Sequence, residues 1–111
     1  MNRLERTVMS YCAAIDTKIA AQLNRLIVSG REHTGVGSYT RFASIVLPAN
    51  ERIEREGPYL QLRLSSPRMP SGGGAILWVG SDGAVQQLEF YCHDGGFPAD
   101  DFEPIINEEG A

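Results

Sequence analysis

Few side chains in this chain could do chemistry, and their spacing limits what that chemistry could be. Cys12, Cys92, His33 and His93 are the nucleophile-type groups. A Cys–His enzyme needs an accessible thiolate beside an imidazole that a third group orients. Cys92 and His93 are adjacent on a β-prone run, and neighbours on a strand point to opposite faces, so they cannot meet there. His33 falls in a loop-like stretch with no thiol near it in sequence. The same four residues lack the closely spaced pairs that zinc sites use, and no metal is expected. The glycine clusters Gly35-Val36-Gly37 and Gly72-Gly73-Gly74 lead into β-prone runs and carry no following Lys-Ser/Thr. Phosphate-cradling loops need a helix N-terminus behind them, so these clusters read as turns and close approaches, and no cofactor is expected.

The carboxylates divide into two groups. Glu89 sits between Leu88 and Phe90 and should point away from them, to a wet face where Arg41 or Arg63 could pair with it. Asp94, Asp100, Asp101 and Glu103 surround Phe97 and Phe102. Aromatic anchors among charges of one sign suit a partner-binding segment, the charges steering and the rings supplying burial. The competing reading folds both rings back onto the body and leaves the acids as a solubilising surface.

Charge follows the same division. The net charge is −4, yet residues 94–111 hold six of the 14 acids and none of the 10 bases. An acidic end on a near-neutral body repels phosphate backbones and tolerates basic partners, so nucleic acid is not an expected ligand. The chain has 111 residues, 42% of them hydrophobic, which suits one domain with a real core. There is no run of 18 apolar residues, and the opening Met1-Asn2-Arg3-Leu4-Glu5-Arg6 has no signal-peptide character. No membrane association is expected, and a cytoplasmic location is. In that compartment Cys12 and Cys92 should be buried thiols without a disulfide.

The elements that must position these groups follow from periodicity. Leu4, Val8, Tyr11, Cys12, Ile15, Ile19, Leu23, Leu26 and Ile27 recur in steps of three and four, which is one face of a helix. The stripe keeps its phase past Asp16-Thr17, the best break point, and predicts one long helix from Arg3 to Ser29 stopped by Gly30. Strands are expected over 37–47, with a bulge near Ala43-Ser44, and over 58–65, where Leu60, Leu62 and Leu64 share a face. Ser65 to Gly73 reads as a loop rich in Pro and Gly. Two further strands flank Ser81-Asp82-Gly83, a hairpin signal that centres the core on Trp78, Leu88 and Phe90. The expected architecture is α+β: an N-terminal amphipathic helix packed on a four-stranded antiparallel meander. It forms a single domain over 1–111, with an acidic C-terminal segment from about residue 94.

Thr34-Gly35-Val36-Gly37-Ser38-Tyr39-Thr40, Gly73-Gly74-Ala75-Ile76-Leu77-Trp78-Val79, Asp82-Gly83, Leu88-Glu89-Phe90-Tyr91 and Phe97-Pro98 follow one another in this order. Over residues 25–100 this pattern resembles a group of small bacterial α+β proteins, some of which look like immunity proteins of toxin systems. The matched residues are turn and core residues. They imply a fold and say hardly anything of activity, and no catalytic residue carries over.

Two functions are expected from different classes. One is a non-catalytic protein-binding module, an inhibitor or immunity-like partner of a basic protein, using Asp94, Phe97, Asp100, Asp101, Phe102 and Glu103. The other is a small-molecule-binding or enzymatic domain with a site between helix and sheet, using His33, Tyr39, Trp78 or Glu89. Homodimerisation is also expected, because a four-stranded meander leaves two open edges and the apolar helix stripe exceeds what four short strands cover. Sedimentation at high micromolar concentration should then show a species heavier than the 12.2 kDa chain, whereas the chain mass alone would contradict it.

Overall fold

The computed structural model describes residues 1–93, 97–98 and 102–108. Helix α1 (Arg3–Ile15) is followed by the short α2 (Thr17–Leu23). The strands are β1 (Val28–His33), β2 (Gly37–Phe42), β3 (Gly57–Ser66), β4 (Met69–Val79), β5 (Val85–Cys92) and β6 (Ile105–Glu108), with a 3-10 turn at Ala49–Glu51. The chain is α+β, with an antiparallel sheet. The sheet corrects the four-stranded meander, because six strands form it among the described residues, in the order β1-β2-β5-β4-β3-β6. Only β3, β4 and β5 run as a meander.

The single long helix is also corrected. Asp16 takes an extended conformation (φ −142°), and its Oδ1 accepts from the backbone N–H of Lys18 at 2.9 Å and of Ile19 at 3.1 Å. An aspartate that caps two free amides starts a helix more readily than it continues one. Its other carboxylate oxygen accepts from the Tyr59 hydroxyl, which ties the break to β3. That hydrogen bond, partial burial and the charge on Asp16 push the Tyr59 hydroxyl up to about 12. The second helix ends at Leu23, and Gly30 lies inside β1 rather than stopping a helix.

The in-phase stripe is nonetheless a burial signal. Leu4, Val8, Met9 and Cys12 of α1 and Ile19 of α2 share one core with Phe42, Leu62, Leu64, Leu77, Leu88 and Phe90. Strand register explains why. Thr40 pairs with Leu88, Leu88 with Leu77, Phe90 with Ala75, and Ala75 with Leu62, so these side chains stand on the inner face towards the helices. Leu60 pairs with Leu77 beyond a bulge at Tyr59, and it too packs against that core.

The connections account for the strand order. After Phe42 the chain leaves the sheet, so the strand ends short of Leu47, and residues 43–56 pass around the end of the β4–β5 hairpin. Leu47 and Ile53 are buried on the way, and the Ile53 amide donates to the Gly83 carbonyl at 2.9 Å. The chain thus re-enters at β3 on the far side of β4. Gln22 holds this crossing. It is fully buried, its Nε2 donates to the carbonyls of Glu51 (2.9 Å) and Gly83 (3.0 Å), and its Oε1 accepts from the Val85 amide (2.8 Å).

The hairpin turn forms where Asp82-Gly83 signalled it. Gly83 donates to the Gly80 carbonyl at 3.0 Å and takes φ +78°, which L side chains rarely adopt. The stretch from Ser65 to Gly73 is corrected from a loop to a second hairpin, with only Pro67 and Arg68 between β3 and β4. Gly74 within β4 answers a steric demand: a Cβ there would lie 2.2 Å from the Tyr91 hydroxyl, so the tyrosine ring lies across β4 only because this residue has no side chain.

Leu62 is 2% exposed at the middle of the inner face. Leu62→Ala should cost about 2–5 kcal/mol in a urea melt, as buried Leu truncations do. A loss below about 1 kcal/mol, the scale of surface substitutions, would place that face in solvent.

Candidate functional site

Two surfaces and one buried cluster hold the residues that could act. The cluster centres on Glu5, in the first turn of α1. Asn2 caps that helix by accepting from the Glu5 amide at 2.8 Å, and the Glu5 carboxylate accepts from the Asn2 amide at 2.8 Å, which is a capping box. The same carboxylate accepts from Arg31 of β1 through Nε (2.8 Å) and Nη2 (2.7 Å), and from the Thr40 hydroxyl of β2 at 2.5 Å. Glu5 is 1% exposed, whereas the Arg31 side chain is 41% exposed. Burial alone would raise the Glu5 carboxyl. The hydrogen bonds from Arg31, Thr40 and Asn2, with the Arg31 charge, outweigh it and hold the group at about 2. A carboxylate held so low by partners on three elements orders structure and gives no acid or base near neutral pH.

Beside this cluster, beneath the β1–β2 hairpin, lies a cleft that His33 enters. His33 stands at the end of β1 on the inner face, opposite Ser38 in register, rather than in a loop. The inner part of the cleft holds about 40 Å3 and adjoins Asn2, Arg31, Ser38, Phe90 and Phe97. His33 and Phe97 also wall an outer hollow of about 240 Å3 with Gly35 and Gly37.

The second surface is the outer face of the sheet. Tyr39, Trp78 and Glu89 come together there, which removes them from any site between helix and sheet. Register places Tyr39 beside Glu89 and Glu89 beside Ile76, with Tyr91 next to Gly74 and Trp78 next to Gln87 on the same face. Glu89 points away from Leu88 and Phe90, as the alternation demands. Its partner is the Trp78 indole, whose Nε1 donates at 3.1 Å, rather than Arg41 or Arg63. Arg41 pairs instead with Glu32 at 3.0 Å. The result is a half-buried row of two tyrosines, a tryptophan and an isoleucine, with Arg41, Arg63 and Glu32 at its margins.

The C-terminal segment contributes less to a surface than its sequence implies. Phe102 is 4% exposed, and the Phe97 ring sits 5.9 Å from Phe90 and 6.1 Å from Phe102, so both rings pin the segment to the core. Glu103 is exposed beside Arg3, Arg6, Thr7 and Ser10 of α1. Asp94, Asp100 and Asp101 lie outside the described residues.

The thiols offer no nucleophile. Cys12 and Cys92 are both free and buried, and burial, reinforced by the charge on Asp16, pushes the Cys12 thiol up to about 12. The His93 ring stacks edge-on against Tyr91 with centroids 5.5 Å apart. Among the described residues no three His, Cys, Asp or Glu side chains gather as a metal site. No described helix is long and apolar enough to cross a membrane. Sequence reasoning missed Glu5, Thr40, Ser38 and Gln22. The local pattern Asn2-x-x-Glu5 could have marked the first of them as a capping box.

The depressed Glu5 carboxyl predicts the acid stability. A group lowered from 4.5 unfolded to about 2 folded contributes fully above the unfolded value and loses that contribution as pH falls through the window between them. The contribution is on the order of 3 kcal/mol at neutral pH. Urea melts between pH 7 and pH 2 should show the gap between wild type and Glu5→Gln narrowing as pH falls below about 4.5 and closing near pH 2. A constant gap between the two proteins across this range would contradict it.

No protein-family model, no curated protein and no solved structure matches this chain.

Proposed function

We propose that this chain is a non-catalytic protein-binding module, an inhibitor or immunity-like partner of a basic protein, and that it docks through the outer face of its sheet. The observation that carries the reading is the row of Tyr39, Ile76, Trp78 and Tyr91 on a face over which neither helix packs. Aromatic side chains held in place are the usual anchors of protein interfaces, because they bury much area at little entropic cost. Trp78 is held by Glu89, and the Tyr91 ring lies across Gly74, so both are ordered before any partner arrives. Other polar and nucleophilic groups are committed to the fold: Glu5 and Gln22 bond to it, and Cys12 is a buried thiol.

A basic partner follows from charge. With a net charge of −4 and six acids beyond residue 93, the chain attracts a cationic protein at long range, while the aromatic face supplies the contact. Phe97 and Phe102 act as core pins in this reading, and the acids of the C-terminal segment steer.

The chain immobilised against lysate of its source cell, with the retained protein then purified, provides the test. Tyr39→Ala and Trp78→Ala should each weaken binding at least about tenfold, as interface anchors do. Wild-type association should slow steeply with added salt. Failure of any protein to bind, or a partner that binds both variants like wild type, would overturn the reading.

A further inference from the structure

The outer face leaves the cleft beneath the β1–β2 hairpin unexplained. We propose that this cleft binds a small apolar monocarboxylate, with Ser38, His33 and Asn2 donating to the acid group and Phe97 flanking the apolar body.

Ser38 is 8% exposed, stands on the inner face of β2 and lines the inner cleft, yet its hydroxyl has no hydrogen-bond partner among the described residues. No buried side-chain oxygen among the described residues lacks a partner, so the Ser38 hydroxyl is open to the cleft and can donate to a group bound there. His33 is its cross-strand partner, lines the same cleft and also has no partner among the described residues. Directly opposed residues place their Cβ atoms about 4.5–5.5 Å apart, close enough for both side chains to address one bound group. Asn2 uses its side-chain oxygen as the helix cap, which leaves its amide N–H2 on the cleft wall.

The chemistry of these groups selects the ligand. Glu5, the acid of the cleft, already accepts from Asn2, Arg31 and Thr40, so its oxygens are taken. What remains is a hydroxyl, an imidazole and an amide N–H2, all able to donate, beside the Arg31 guanidinium. A carboxylate, with about four lone-pair sites and a negative charge, satisfies several donors at once. The outer hollow of about 240 Å3, walled by Phe97, Gly35 and Gly37, is smaller than a drug-sized pocket, so the body is a fragment such as one ring.

Benzoate is the probe and benzamide its uncharged control, each titrated into the 15N-labelled full-length chain and followed by amide chemical shifts. Benzoate should shift the amides of residues 31–40 and of the first turn of α1 saturably, with a dissociation constant on the order of 1 mM for so small a ligand. Benzamide should bind at least tenfold more weakly. Ser38→Ala should weaken benzoate at least tenfold while the thermal midpoint holds. Should that variant fail to fold, His33→Ala at the exposed end of β1 carries the same expectation. Absence of saturable shifts, equal binding of benzamide, or unchanged affinity in the folded variants would overturn the proposal.

Discussion

One buried carboxylate organises one side of this molecule. Glu5 is almost wholly removed from water, which would be prohibitive for an isolated charge. It is tolerated because partners from three elements meet at its two oxygens: the start of α1, Arg31 of β1 and Thr40 of β2. The arrangement fixes the angle at which the helix meets the sheet and holds the β1–β2 hairpin beneath it. Strand β1 needs this hold. It is an edge strand that ends in three consecutive exposed residues, Arg31, Glu32 and His33, so it contributes little apolar burial of its own. The cleft containing His33 and Ser38 exists because Glu5 keeps that hairpin in place.

Gln22 plays the corresponding part at the other end. Its three hydrogen bonds join α2 to the 3-10 turn and to the β4–β5 turn, closing the crossing that takes the chain around the hairpin. Both polar groups are buried and both are satisfied, which lets an otherwise apolar interior specify one arrangement of helices on sheet. The inner face of the sheet is thus committed to the fold. The outer face carries aromatic side chains ordered by Glu89 and by the missing side chain of Gly74, and neither helix packs over it.

The sequence reveals this structure where the signal is local. Asp82-Gly83 placed a hairpin, alternation placed Leu62 and Leu64 inside and Glu89 outside, and the helical stripe identified Leu4, Val8, Cys12 and Ile19 as core. The stripe missed Met9 and wrongly included the exposed Ile15 and Ile27, and Trp78 stands outside the core it was expected to centre. The helix break was legible as a choice: Asp16 could cap, and the cap prevailed over a continuous stripe because it satisfies two amides and a tyrosine at once. What escaped detection depends on distant partners. Strands β1 and β6 are edges held chiefly by backbone pairing, so Gly30-Arg31-Glu32-His33 shows no alternation to read. The strand order depends on where residues 43–56 cross, and that rests on Gln22, which looks in sequence like any polar helix residue. Ser38 and His33 are five residues apart and become neighbours only because the chain reverses between them.

The Glu5 carboxylate, rather than sheet pairing alone, holds the β1–β2 hairpin to the body. Amide hydrogen exchange in Glu5→Gln compared with wild type tests this most directly. Protection should fall at Arg31, Thr40 and the first turn of α1 while the central strands β3, β4 and β5 keep theirs, because local opening draws on local contacts. Unchanged protection in the hairpin, or a uniform loss across the whole sheet, would contradict it.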